Sequence, residues 1–384
     1  LEVVMPNFYE FFAGGGMARA GLGPEWHCAF ANDFDPKKGA SYRENWNADE
    51  LVVGDVTQVQ SGHLPGQADL AWASFPCQDL SLAGAGAGLD GDRSGTFWPF
   101  WKLMRKLVKE QRAPKLVVLE NVCGAITSHG GKDFAAIASA LSAAGYRYGA
   151  VVIDASAFVP QSRQRLFFVA VKSGAVIPPH LTVPAPLQPW HTDALVKAYS
   201  GLSARAAAKW VWWTLPTPEA RLQTFADIIE EEPVGVKWHT KAETKRLLSL
   251  MSEVHRNKLN AAKRAGRRMV GAVYRRTRKD ENGEKVQRAE VRFDDIAGCL
   301  RTPAGGSSRQ LILVVDGDNV RSRLLSPREA ARLMGLPDTY VLPANYNESY
   351  HLAGDGVAVP VVRYIAEHLL EPVLAWNMEQ RDAA

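Results

Sequence analysis

Asn7-Phe8-Tyr9-Glu10-Phe11-Phe12-Ala13-Gly14-Gly15-Gly16 reads as a short apolar strand that runs straight into a glycine turn. Glycines there permit a tight turn and let a ligand approach the backbone closely. The pattern is not Gly-x-Gly-x-x-Gly, so a dinucleotide is disfavoured. Further short apolar runs, bounded by Gly, Pro or charge, follow at Cys28–Ala31, Leu51–Val53, Ala68–Ala73, Lys115–Leu119, Ala150–Ile153 and Leu166–Val171. Helical stretches lie between them. Thr96–Gln111 is ended by Pro114, and Phe134–Ala144 repeats apolar residues at Phe134, Ile137 and Leu141 before Gly145 stops it. Strands alternating with helices predict an α/β fold built on a doubly wound, mostly parallel sheet. Such sheets take ligands beyond the carboxyl ends of their strands.

Several polar residues fall at those ends. Asn32-Asp33 closes the second strand, about 20 residues after the first, where an acid commonly accepts hydrogen bonds from ribose hydroxyls. Phe34 is placed to lie against an adenine ring, and Asp55, in Gly54-Asp55-Val56, to hold its amino group. Together with the glycine turn these residues suggest a nucleoside cofactor without a pyrophosphate. Cys77 follows the run Leu70-Ala71-Trp72-Ala73 in Phe75-Pro76-Cys77-Gln78. A thiol after a buried strand and a rigid proline is well placed to be a nucleophile, although a lone cysteine is more often structural. Glu120, in Leu119-Glu120-Asn121-Val122, ends a neighbouring strand. A carboxyl beside a thiol discourages the thiolate, so the pairing makes sense if the acid acts on the substrate. A pyrimidine is a poor electrophile at C6 until N3 accepts a proton or hydrogen bond, which a protonated Glu120 would supply while the thiolate attacks. Gln161-Ser162-Arg163-Gln164-Arg165 places alternate arginines on one face of an extended segment, suited to a phosphate or a carbonyl oxygen, or to salt bridges in a surface hairpin.

The bulk properties agree with a globular chain of two domains. The chain has 384 residues, 46% hydrophobic and 22% charged, without a long apolar run for a membrane span. No signal peptide is evident, and a cytoplasmic setting is expected. Cys28, Cys77, Cys123 and Cys299 form no Cys-x-x-Cys pair, which argues against structural zinc and a disulfide framework. No metal is expected. The net charge of +4 hides an asymmetry: Arg256 to Arg292 holds 13 Lys/Arg against 4 Asp/Glu. Segregated positive charge of this kind marks a surface for a polyanion, or a solvated face. Prolines 178, 179, 184, 186 and 189 mark a linker. The predicted organisation is a catalytic and cofactor domain over 1–180, completed by 326–384, with a smaller, irregular domain over 181–325. Trp210, Trp212 and Trp213 read as a small core in preference to a base-stacking surface. Ser326-Pro327-Arg328-Glu329 reads as a helix capping box, and Val359–Leu370 as a further helix.

Taken in order, Phe-Ala-Gly-Gly-Gly, Asn-Asp, Gly-Asp-Val, Phe-Pro-Cys-Gln, Glu-Asn-Val and Gln-x-Arg-x-Arg resemble the blocks of DNA cytosine-5 methyltransferases of bacterial or phage type. Leu325–Gly335 and Gly354-Asp355-Gly356-Val357 resemble the last two blocks, so the likeness covers about 1–175 and 298–375. The resemblance implies a Rossmann-like catalytic domain and methyl transfer from S-adenosylmethionine to C5 of a cytosine flipped out of double-stranded DNA. Cys77 would attack C6, Glu120 engage N3, Arg165 steady the base and Arg163 hold the backbone or the loop. Phe12, Ala13, Gly14, Gly16, Asp33, Phe34, Asp55, Val56, Pro76, Phe97, Asp355 and Val357 would surround the cofactor. Gln78 and Ser81 would meet DNA, as would Arg275, Arg276 and Arg278, which could contact guanines or phosphates equally well. Ala83 to Gly95 resembles the family's mobile loop, Thr302-Pro303-Ala304-Gly305-Gly306 a family turn, and 181–325 its target-recognition region. A monomer is expected.

Two departures stand out. Met17 follows Gly16 directly, where the family usually has a further residue before its last glycines, and Asp355 stands where the family has Asn. An acid near the cofactor's sulfonium would favour ordinary S-adenosylmethionine over variants with an extra carboxylate. The rival readings are weaker. An RNA cytosine-5 enzyme would show Cys-Phe-Thr in the recognition region, and a silent DNA-binding relative would lack the Cys or the Glu. An N4-cytosine or N6-adenine enzyme would carry Pro-Pro-aromatic and have no use for a thiol.

Overall fold

The computed structural model describes residues 5–76, 94–301 and 309–382. A central sheet of seven strands comprises β1 (Asn7–Phe11), β2 (His27–Asp33), β3 (Leu51–Val53), β4 (Leu70–Ala73), β5 (Leu116–Val122), β6 (Tyr146–Asp154) and β7 (Gln164–Lys172). The spatial order is β3-β2-β1-β4-β5-β7-β6. β1 to β5 run parallel, whereas β7 lies antiparallel between β5 and β6. The strand order reverses between β1 and β4, the switch point where open α/β sheets bind ligands. Every residue of β4 is buried, as a strand covered on both faces requires. The helix Phe97–Lys109 buries Phe97, Phe100, Trp101, Met104 and Leu107, a helical stripe that packs into the main core.

The chain divides into two compact units, one of Leu1–Asp154, Gln164–Thr217 and Val357–Ala384, the other of Ala155–Arg163 and Pro218–Gly356. These boundaries differ from those read in the sequence, for physical reasons. Residues 181–217 join the first unit because they are stitched to the sheet edge: Tyr148 N donates to Lys209 O and Val211 N to Tyr148 O. β8 (Thr182–Val183) pairs with β9 (Trp212–Trp213), and Trp213, fully buried, donates from Nε1 to Val169 O at 3.1 Å. Trp212 and Trp213 are buried, and Trp210 packs half-buried against the main core. Residues 326–356 belong to the second unit, where Arg323 and Glu329 are joined by two hydrogen bonds.

The second unit is more regular than its sequence suggests. It holds a four-stranded antiparallel sheet of β10 (Met269–Lys279), β11 (Lys285–Arg292), β12 (Leu311–Asp316) and β13 (Asn319–Leu324), in the order β11-β10-β12-β13. Its own core is built on Leu247, Met251, Leu259, Val273, Val291, Leu313 and Val315. The capping box forms as read: Ser326 Oγ accepts from Glu329 N, and Glu329 accepts from Ser326 N. No helix among the described residues is long and apolar enough to cross a membrane.

Candidate active site

Cys77, Gln78 and Ser81 lie outside the described residues, as do residues 83–93 of the loop and Thr302–Gly306. What the structure gives is the frame on either side. The parallel register sets Ala73 opposite Leu119, so the chain leaving β4 runs beside Glu120. Asn121 Nδ2 donates to Phe75 O at 3.1 Å and pins the segment two residues before Cys77. Ser74 is tied as well, through Trp72 Nε1 at 3.0 Å. Asn121 was quoted in the sequence without a role. A buried amide beside a strand end needs a partner, and that requirement is the signal that would have found it.

Glu120 sits within β5 and not at its end, only 6% exposed. The antiparallel partner strand β7 pairs Phe167 with Glu120 and Arg165 with Val122, so Arg165 is the diagonal neighbour of Glu120 on the same face. Its Nε lies 3.2 Å from Glu120 Oε1. Arg163 takes different partners. Its Nη2 donates to Gly354 O at 3.0 Å and Gly356 O at 2.6 Å, and its Nη1 to Leu300 O at 3.4 Å. The partners seen for the two arginines among the described residues are therefore different. Arg163 clasps the backbone on both sides of Asp355, whose own side chain is exposed at the end of the helix Tyr346–Asp355. Gln161, fully buried, accepts from Leu300 N at 3.0 Å and donates to Leu333 O at 2.7 Å.

The candidate cofactor residues gather at the ends of β1, β2 and β3. Phe12 has φ 57°, a left-handed backbone that costs a non-glycine residue about 1–3 kcal/mol and recurs at ligand sites. Gly14 shares this conformation at φ 57°, and a Cβ built on it would meet nothing within 4 Å. Open space therefore lies against its backbone. Gly16 is glycine for another reason: a Cβ there would collide with Trp46 and Tyr42. Asp33 Oδ2 accepts from Gly14 N at 2.7 Å and Oδ1 from Asp35 N at 2.8 Å, which leaves each oxygen one lone pair for a further donor. Burial raises the Asp33 carboxyl above its ordinary value, against the pull of those N–H groups and Lys38. Phe34 is 73% exposed, an aromatic side chain open to be a platform for a ring. Asn32 Nδ2 bridges Val52 O and Gly54 O at 2.9 and 3.0 Å, fixing the turn that presents Asp55.

The remaining candidates are less open. Asp55 is exposed but caps its own short turn, accepting from Thr57 N at 2.8 Å. The side chains of Ala13, Val56 and Val357 are buried, so only their backbones can face a ligand. Phe97 is fully buried against Phe75 and Trp101, where it fills the core instead of lining a surface. Pro76 is half-buried. Burial pushes the Cys28 thiol up to about 12 and Cys123 to about 11, so neither is a nucleophile at neutral pH. Among the described residues no group of three or more His, Cys, Asp or Glu could hold a metal ion.

The sequence model described as C-5 cytosine-specific DNA methylase matches residues 6–371 of this chain. The chain belongs to that family. As a C-5 cytosine-specific DNA methylase it is an enzyme, and the resemblance carried by its motifs holds. The type II methyltransferase M.HpaII of Haemophilus parainfluenzae is 27% identical over 388 residues, 95% of this chain and 89% of that protein. The type II methyltransferase M.HhaI of Haemophilus parahaemolyticus is 24% identical and covers 94% of both chains. Among solved structures, the S. pombe Dnmt2 methyltransferase aligns with a TM-score of 0.60 at 16% identity, over 96% of this chain and 99% of that one. A putative DNA modification methyltransferase encoded within an E. coli prophage aligns with a TM-score of 0.55, also at 16% identity, over 97% and 99%. These two structures bear on the fold, which they share.

Beneath the glycine turn the methylase buries an acid that the sequence did not single out. Glu10 lies in β1, where its Oε2 accepts from Tyr42 OH at 2.9 Å and its Oε1 from Arg19 N at 3.3 Å. Arg19 in turn pairs with Glu50 and lies over the Trp46 ring, and Trp46 Nε1 donates to Gly15 O at 3.3 Å. Burial pushes the Glu10 carboxyl from 4.5 up to about 7, with Asp33 adding to the rise and Tyr42 and Arg19 opposing it. The folded protein thus binds this proton more tightly than the unfolded chain. The stability it contributes is complete below 4.5 and is lost as pH rises through about 7. Relative to wild type, Glu10→Gln is expected to gain about 3 kcal/mol between the two limits, at roughly 1.4 kcal/mol per unit. Urea unfolding of both proteins at about pH 5 and pH 8 measures it. A difference that does not change with pH would refute the assignment.

The three candidate DNA-contacting arginines of β10 are separated by the strand alternation. Arg276 and Arg278 are exposed on one face, while Arg275 is half-buried on the core face opposite Ala289.

Proposed function

We propose that this methylase transfers a methyl group from S-adenosylmethionine to C5 of a flipped-out cytosine in a specific duplex DNA sequence, through a covalent Cys77–C6 adduct. The observation that carries the reading is the buried Glu120, oriented by Arg165 at 3.2 Å, beside the exit of β4 that leads to Cys77. Phe34, Asp33 and the open backbone of Gly14 fit a nucleoside: an aromatic face, a hydroxyl acceptor and room for close approach. These residues would hold S-adenosylmethionine, which when bound supplies an electrophilic methyl group.

The chain's own residues then divide the work. Flipping brings the base out of the stack to where side chains can reach its ring. The Cys77 thiolate forms a bond to C6 while Glu120 delivers its proton to N3, so that the electron pair displaced from the C5–C6 bond moves into the ring towards C5. Arg165, with Nε 3.2 Å from Glu120 Oε1, would hold the carboxyl in place against the base. Once C5 carries the methyl group, its proton passes to water, the Cys77 thiolate leaves C6 as the C5–C6 double bond re-forms, and N3 returns its proton to Glu120. Asn121, holding Phe75 O, sets the approach of the nucleophile's segment.

Methyl transfer from labelled S-adenosylmethionine to duplex DNA, followed by bisulfite sequencing, tests the proposal. Label at C5 of cytosine in one short sequence context, abolished by Cys77→Ser, is the expected result. A folded, cofactor-binding protein that labels no DNA would overturn it, and label on RNA alone would redirect it to that substrate.

A further inference from the structure

The hairpin of β10 and β11 outruns its sheet. Among the described residues β12 pairs with β10 over Met269–Val273, whereas β11 pairs with β10 out to Lys279. From Tyr274 onward the hairpin is, among the described residues, a two-stranded ribbon, about 20 Å long at roughly 3.4 Å per residue. Its tip is stiffened by Asp280, whose Oδ1 accepts from Asn282 N and Glu284 N, both at 2.9 Å. The strand register sets Tyr274 opposite Glu290 and Arg276 opposite Arg288, with Arg278 next along the same face. Like charges directly opposite each other weaken a sheet. Arg276 is set against Arg288, a repulsion that the Glu290 contact offsets in part and a polyanion would relieve further. Glu290, 21% exposed, is the acid on this face: its Oε1 lies 2.5 Å from Arg278 Nε and its Oε2 3.4 Å from Arg276 Nε. Both guanidiniums are held by Nε, which spares the Nη1/Nη2 edge. Arg276 also lies over the Tyr274 ring, 5.3 Å from its centroid.

We propose that this ribbon enters the major groove of the substrate duplex and that Arg276 and Arg278 read guanines there, with Glu290 as the positioning residue that aims both. The inference rests on duplex DNA being the substrate. The major groove admits a two-stranded ribbon, and an arginine meets guanine O6 and N7 with two parallel N–H groups. Glu290 fixes two flexible side chains before binding, so less rotamer freedom is lost on contact. The tip carries Asp280, Glu281 and Glu284, so the arginine face and not the tip meets the polyanion.

The test uses the intact enzyme on a duplex library randomised around cytosine, with sites read by bisulfite sequencing and affinity measured across salt. Arg278→Gln is expected to lose discrimination at one base pair by roughly 5- to 150-fold, with thermal stability unchanged. Glu290→Gln relaxes the same position, and the position read by Arg276, more weakly. Lys279→Gln, on the other face, lowers affinity evenly and leaves the sequence profile intact. If Arg278→Gln weakens all sequences alike and reduces the salt slope by about one, the contact is to phosphate and the readout is overturned. If Arg278→Gln shifts the profile but Glu290→Gln does not, the positioning role falls. A wild-type enzyme that methylates no duplex would defeat the functional reading itself, a result distinct from either.

Discussion

Glu120→Gln is expected to slow methyl transfer by about 10²–10⁴-fold while leaving the fold and cofactor binding intact. The substitution keeps the shape of the side chain and its place in β5. The amide can turn its oxygen to Arg165 Nε, so the 3.2 Å contact has a substitute. Its NH2 can still donate a hydrogen bond to N3 of a cytosine, but it cannot give up a proton there. What is lost is the acid, and the loss appears in the chemical step. Single-turnover transfer with saturating DNA and cofactor measures it. Arg165→Lys should fall less far, because an ammonium keeps the charge but not the planar fork. A Glu120→Gln enzyme with wild-type single-turnover rates would place the N3 donor elsewhere.

The placement of several candidate residues was legible because they sit where the backbone makes their position local. The glycine turn and Asp33 each follow or end an apolar strand run, and strand ends in an alternating α/β pattern converge on one edge of the sheet, whereas Glu120 follows the apolar run but lies inside β5. The capping box of Ser326 and Glu329 is likewise a matter of three residues' spacing. What stayed hidden depends on partners distant in the chain. Arg163 and Arg165 looked like a pair because alternation puts them on one face of a strand. In the structure only Arg165 belongs to β7, and Arg163 instead reaches the Gly354 and Gly356 carbonyls. Arg275 read as equal to Arg276 and Arg278 until the register with Ala289 turned it towards the core. The sheet of the second unit was missed because charged residues dominate the free end of β10 and β11, where a ribbon without a covered face has no apolar alternation to display. Phe97 was assigned to the cofactor from its motif position, but its ring completes a stack with Trp101 in the core.

Glu329→Ala is expected to destabilise the protein by about 3–5 kcal/mol, the cost of leaving a buried charge without its partner. Arg323 and Glu329 are both 0% exposed. Glu329 accepts four hydrogen bonds: from Arg323 Nη1 and Nη2 at 2.7 and 2.6 Å, and from Ser326 N and Glu230 N, both at 2.7 Å. Those four donors fill its acceptor sites. Truncation leaves Arg323 with the Leu324 and Glu230 carbonyls and the Trp238 face, 4.7 Å from its centroid, and none of these neutralises the cation. The same carboxylate closes the capping box, so the helix Pro327–Leu333 loses its N-terminal anchor with the ion pair. The pair as a whole is a different quantity. Desolvating two charges offsets most of what their attraction returns, so Arg323→Met combined with Glu329→Leu should recover much of the loss. Chemical unfolding of the two single variants and the double variant measures the coupling, which should exceed about 2 kcal/mol. If Glu329→Ala costs less than about 1 kcal/mol, water reaches Arg323 and the pair is not the closed bolt between β13 and the capping box that its burial describes. If the double variant is as unstable as the worse single one, the site needs the charges for more than each other, and the Glu230 and Ser326 N–H groups are the donors left waiting.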